Sequence, residues 1–235
     1  VQSRKLIAIF KTGQPDPTRS NNKPQRLRMM LGEVFGHTKM LNFTVVGFAH
    51  WFVMVSFFGL FGTLVTAYGQ LINPYFIIPV IGHFWVYEYI TELLAWTTGI
   101  AIVALIGIRQ VTLRTNKRSR FAGSGNWKAY YVEATVLAVV FCVIALRGLE
   151  GALSDETAWN RHFITTWFIA DMFKSMSLSQ ITSWIQIVAT IKIVTSMLWF
   201  VVLAANLTMG ITWHRFLAPF NIFYRRNADG QSSLG

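Results

Sequence analysis

Long apolar blocks alternate with short polar segments along this chain, and the blocks are long enough to cross a membrane. A hydrocarbon core of about 30 Å needs about 20 predominantly apolar residues in helical form. The pattern predicts four spans, at about 41–68, 89–108, 129–146 and 193–213, the last with room to begin earlier. Between the first two runs a connector with Asn73-Pro74 and Pro79, which holds no Lys or Arg from Gln70 to Tyr87. Before the first span, Arg26 to Lys39 reads as a short amphipathic helix on the membrane surface, with Leu27, Met30, Leu31, Val34 and Phe35 on one side. The start, Val1 followed by Leu6-Ile7-Ala8-Ile9-Phe10, reads like the tail of an earlier element.

Charge orients this pattern. Residues 1–42 carry eight Lys/Arg against two acids, and Arg109, Arg114, Lys117, Arg118 and Arg120 follow the second span. Arg215, Arg225 and Arg226 follow the fourth. Cytoplasmic loops carry the excess of Lys and Arg, so both ends and the 109–120 loop are expected inside a bacterial cytoplasmic membrane. The 69–88 and 147–190 connectors are then expected outside. Lys192 is expected to snorkel outward from the fourth span. The division that follows is a basic segment at 1–40, a transmembrane bundle at 41–214 and a cytoplasmic linker at 215–235.

Composition agrees with that picture. The chain is 53% hydrophobic and 13% charged, against about 25% charged in soluble domains. The formal charge of +11 sits in segments flanking apolar blocks, which argues against nucleic acid as the partner and for the lipid bilayer. The single cysteine, Cys142, excludes an internal disulfide and any cysteine-ligated cluster or zinc site, and reads as a small buried hydrophobe.

Two histidines carry the sharpest chemical signal. His50 lies in Val46-Gly47-Phe48-Ala49-His50-Trp51-Phe52, roughly 10–13 Å inside the first span at about 1.5 Å per residue. His214 lies at the cytoplasmic exit of the fourth, in Gly210-Ile211-Thr212-Trp213-His214-Arg215-Phe216. Both can approach one haem near the cytoplasmic face, and two imidazoles fill both axial positions of the iron, which suits electron transfer. Arg215, Lys39, Arg118 and Arg120 share that face and can pair with propionates. The plain alternatives are a helix–helix hydrogen bond for His50 and a solvated ring for His214.

Other polar positions stay open. Glu133, one turn inside the third span, is either a proton donor to quinone or the partner of a nearby Arg. Glu88 and Glu92 share one helix face, for proton release or for surface solvation. His83 and His162, in outward connectors, form a second histidine pair, line a quinone pocket, or are interfacial polar residues. Gly47, Gly59 and Gly62 would allow close approach of either a cofactor or a neighbouring helix.

An ordered set of short motifs runs along nearly the whole chain: Gly32-Glu33-Val34-Phe35-Gly36, Gly47-Phe48-Ala49-His50-Trp51-Phe52, Pro79-Val80-Ile81-Gly82, Ser119-Arg120-Phe121 and His214-Arg215-Phe216-Leu217-Ala218-Pro219-Phe220-Asn221. The set resembles the membrane part of actinobacterial iron–sulfur oxidoreductases of the electron-transfer-flavoprotein dehydrogenase type, which are similar to the haem b subunit of respiratory nitrate reductase. The resemblance implies an all-α membrane bundle with a further, fifth span before residue 1. It implies haem b here, [4Fe–4S] clusters on a downstream or partner module, electron-transfer flavoprotein as donor and menaquinone as acceptor. Two-haem relatives carry further histidines near positions 60 and 196, where this chain has Leu60 and Ser196; the resemblance therefore implies one haem, on His50 and His214. Thr212 stands where the family often has another histidine. The expectation is a haem b electron-transfer module, membrane part of a quinone-linked oxidoreductase. A haem-free anchor for a soluble redox domain is the alternative.

Overall fold

The computed structural model describes residues 2–115, 126–155, 158–207 and 209–231. Arg120, with Lys117 and Arg118, lies outside the described residues. Among those residues the chain is helical, with no β-strand: α1 (Gln2–Lys11), α2 (Lys23–Val34), α3 (Thr44–Gly59), α4 (Phe61–Ile72), α5 (Trp85–Thr115), α6 (Asn126–Leu153), α7 (Trp167–Met172), α8 (Leu178–Ala205) and α9 (Gly210–Phe223). Four segments are long and apolar enough to cross a membrane: Leu41–Gly59, Trp85–Arg114, Asn126–Leu153 and Leu178–Ala205.

The span boundaries differ from the hydropathy pattern in ways that matter. The first apolar block is divided at Leu60, the one non-helical residue between α3 and α4. The α5 and α6 helices run past their apolar stretches, so Glu88, Glu92 and Arg109 belong to α5, and Arg147 and Glu150 to α6. The fourth span begins 15 residues early, at Leu178, and ends at Ala205. A capping box starts it: Gln180 N–H donates to Ser177 Oγ at 3.3 Å, and Ser177 N–H donates to Gln180 Oε1 at 2.8 Å. Lys192 therefore sits in mid-helix. His214 lies on the separate helix α9, not on the fourth span.

The chain forms two compact units: residues 49–199, and residues 1–48 with 200–235.

In the 49–199 unit, α5 packs against α6 and α6 against α7. Glu92 meets Arg147 and Arg109 meets Glu133, so α5 and α6 are antiparallel with an ion pair at each end. The pairs are seventeen residues apart on α5, about 25 Å at 1.5 Å per residue, which matches the hydrocarbon thickness. Apolar side chains between them form the core: Cys142, Leu146, Leu149, Ile185, Ala189 and Ala67, the cysteine as the small buried hydrophobe expected. The α7 helix comes close because glycines face it: a Cβ on Gly148 would stand 2.3 Å from Ile169 Cγ2, and one on Gly151 2.9 Å from Ala170 Cβ.

In the other unit, α2 packs against α9. A helix does lie in the 26–39 region: α2 starts three residues earlier and ends earlier than expected. Leu27, Leu31 and Phe35 form an exposed apolar stripe at i, i+4, i+8. Arg26 is fully buried. Its guanidinium donates to the carbonyls of Thr18 (2.9 Å), Asn21 (2.7 Å), Phe223 (3.0 Å) and Arg225 (2.6 Å), and so closes the carbonyl end of α9. Glu33 accepts from Arg225 at 2.7 and 2.8 Å and pairs with Lys39 at 3.0 Å. The Arg225 bonds hold its carboxyl below the usual carboxylate range, against the opposing pull of burial. His37 follows α2 in a left-handed turn (φ 48) and is buried rather than on a surface helix.

Candidate functional site

The densest polar chemistry in the 49–199 unit lies at the end of the α5–α6 pair opposite Arg109 and Glu133. Arg147 is its hub. The guanidinium donates to Glu92 Oε1 from Nε (3.3 Å) and Nη2 (3.1 Å), to Glu150 Oε2 from Nη1 (2.8 Å), and to the His162 carbonyl; Glu88 Oε1 lies 3.6 Å from Nη1. Its plane rests 4.4 Å from the Phe163 ring centroid. Glu92 also accepts from Thr165 N–H (2.8 Å), Thr165 Oγ1 (2.7 Å) and Thr166 Oγ1 (2.7 Å). That saturates it and fixes the segment before α7 against α5. Glu88 and Glu92 are buried at 4% and 1% exposure, which overturns the surface-solvation reading for both.

Glu88 looks toward the connectors. His162 Nδ1 lies 2.6 Å from Glu88 Oε2, and His83 Nδ1 lies 3.7 Å from Oε1. The two imidazoles stack with centroids 4.4 Å apart and planes 8° from parallel. The structure thus brings together His83, Glu88 and His162. Their ligand atoms lie within 4.8 Å of one another, a donor set a divalent cation can use. The parallel rings do not aim their lone pairs at a common point, so coordination would require one ring to turn.

Below Glu88, a cavity of about 40 Å³ is lined by Thr63, Gln70, Tyr87, Thr91, Glu150 and Lys192 among others. Lys192 is 1% exposed and does not snorkel: Nζ donates to Thr63 O at 2.8 Å and Thr63 Oγ1 at 2.7 Å. Gln70 Nε2 donates to Glu150 Oε1 at 2.7 Å. Gln70 Oε1, Tyr87 Oη and Thr91 Oγ1 are buried without a hydrogen-bond partner among the described residues. Tyr87 and Thr91 are neighbours on one face of α5 without reaching good bonding geometry. An orphaned buried polar atom costs about 1–3 kcal/mol, and three at one cavity mark a place made for a polar occupant.

At the other end, Arg109 grips Glu133 with two bonds, one of 2.7 Å from Nε to Oε1 and a second from Nη2 to Oε2, and lies 4.3 Å from the Tyr130 ring centroid. Glu133 has the arginine partner that was the plain alternative to a quinone role.

His50, on α3, is half-buried and belongs to the 49–199 unit; His214, on α9, is exposed and belongs to the other, beside half-buried Arg215. Burial by the surrounding protein, then the Arg215 charge, push the His214 ring below the usual imidazole range. The glycine notches are filled by protein: a Cβ at Gly59 would stand 2.4 Å from Leu94 Cδ1, and one at Gly62 2.5 Å from Tyr87 Oη. They serve helix packing, the second of the two readings.

Sequence reasoning missed Lys192, Arg147, Glu150 and Gln70 as one cluster. The Ser177-Leu178-Ser179-Gln180 capping box was the signal that would have moved the fourth span and put Lys192 inside. Compared with protein-family models, curated proteins and solved structures, the chain has no match.

Proposed function

We propose that this chain is the membrane haem b module of a quinone-linked oxidoreductase, with His50 and His214 as axial ligands. Electrons pass between cytoplasmic iron–sulfur clusters, reduced in turn by electron-transfer flavoprotein, and menaquinone in the bilayer. The basic loops orient the chain with both ends cytoplasmic, and α2 lies on that surface. The observation that carries the reading is the ionisable cluster of Glu88, Glu92, Arg147, Glu150 and Lys192 inside an apolar bundle. Ionisable groups are rare in membrane interiors and mark ion, proton or ligand pathways, and quinone chemistry needs protons moved as well as electrons. Haem, when bound, supplies a one-electron carrier between donor and quinone. Arg215 and Arg120 are suited to its propionates by charge and sequence position.

A dithionite-reduced minus oxidised optical spectrum tests this on purified protein, alongside His50→Ala and His214→Ala. A sharp low-spin b-type α-band, lost in either variant, is expected. No band in protein from a haem-replete host would overturn it.

The haem-free anchor gains one observation: Leu94 and Tyr87 fill the glycine notches. An anchor would tolerate His50→Leu with no cofactor to lose.

A further inference from the structure

We propose that the cavity beside Glu88 is a water-filled proton route joining Lys192 to the face of the bundle where His83 and His162 lie. Calling that face outward rests on the orientation proposed above; the route itself does not.

Size decides the occupant. The cavity's 40 Å³ exceeds the roughly 10–15 Å³ that one water needs and would hold about three. It is far below the roughly 300 Å³ at which organic ligand pockets begin, so a quinone ring is excluded and a short water chain is not. Polarity agrees. Gln70 Oε1, Tyr87 Oη and Thr91 Oγ1, each buried and unpartnered, are lining atoms, and a bridging water requires two to four such partners. Lys192, Glu150 and Glu88 all line it.

The carriers follow in order. A proton leaving Lys192 Nζ, which becomes the neutral amine, passes through the waters to the Glu88 carboxylate. From there it moves to His83, whose side chain is 69% exposed and whose Nδ1 lies 3.7 Å from Glu88 Oε1, while His162 Nδ1 stays on the other carboxylate oxygen at 2.6 Å. Glu88 and the histidine regain their starting states when the histidine releases the proton to water, and Lys192 stays the neutral amine until the same steps reversed return a proton to it. Arg147, itself held by Glu92, pairs with Glu88 and Glu150 and keeps both in place. Glu150 and Cys142 on α6 are the titratable groups that act on Lys192, and Thr63 on α4 holds it.

The test uses the full chain in lipid nanodiscs with lysine labelled with ¹⁵N at Nζ. Saturation transfer from water reads the exchange rate of the Lys192 Nζ protons, assigned by their loss in Lys192→Met. Exchange is expected in the wild-type chain and is expected to slow at least tenfold in both Glu88→Gln and His83→Ala. His83→Ala alters an exposed ring and leaves the packed interior intact, so it answers even if Glu88→Gln misfolds. No Lys192 exchange in the wild-type chain, or equal rates in the variants, would overturn the route. The measurement needs no haem, so a chain that lacks the b-type spectrum can still pass it.

Discussion

Lys192 on α8 is clamped to Thr63 on α4, its Nζ donating to both the carbonyl oxygen and the hydroxyl of that one residue. The contact ties the fourth span to the helix just past the Leu60 break. It holds a cationic side chain where an unpaired one would be expelled, with Glu150 as the nearby countercharge.

The ion pairs that close α5 against α6 are unequal, and Arg147 is the costlier to lose. Arg147→Ala leaves Glu88, Glu92 and Glu150 without their shared cation. Breaking a buried pair from one side costs about 3–5 kcal/mol. Thermal unfolding in detergent is expected to show that loss, with Arg147→Lys only partly restoring stability because an ammonium lacks the guanidinium fork.

The capping box at Ser177 is separable from everything else at the site. Ser177→Ala removes one side-chain acceptor and is expected to cost about 0.5–2 kcal/mol. The b-type spectrum and Lys192 exchange should stay unchanged. A loss of either would mean that the start of α8 does more than begin a helix.

Glu33 links α2 to α9 in a pH-dependent way. Its folded pKa is lowered, first by the Arg225 bonds, so its contribution is complete above the ordinary carboxylate range and fades as pH falls through the lowered value. Amide hydrogen exchange across residues 210–231 should accelerate on acidification through that window. In Glu33→Gln, exchange is expected to be fast already at neutral pH and to lose this acid-dependent step; an unchanged step in that variant would assign it to another group.

Gly148 sets how closely α7 approaches α6. Gly148→Val forces side-chain carbon into Ile169, and overpacking of this kind costs about 1–3 kcal/mol. Proteolysis of the 158–177 segment in detergent should become faster, while Gly107→Ala, which meets nothing within 4 Å, should leave it unchanged.

The four apolar segments were legible in the sequence because hydropathy over some twenty residues is a strong signal, and Cys142 behaved as a lone apolar-run cysteine should. What hydropathy misplaced were helix ends. Glu88, Arg147 and Glu150 interrupt the apolar pattern, so they read as connectors, yet partners on neighbouring helices let the helices continue through them. Lys192 looked like a span's edge because the polar Ser179-Gln180-Ile181-Thr182-Ser183 stretch before it looked like loop. Glu133 had two readings, and its arginine, one span away at Arg109, could be chosen only once α5 and α6 were known to be antiparallel. Arg26 had no signal at all, since its partners are main-chain carbonyls, which every sequence offers.

Those carbonyls bear on how the protein is made. Arg26 bonds Phe223, 197 residues later. A ribosome releases the first long before the second exists, so until then Arg26 has only its local acceptors, the carbonyls of Thr18 and Asn21. A chain stopped short of Phe223 could insert its spans and still never bury that charge. The segment around Arg26 thus reaches its final form only after Phe223 and Arg225 have been made.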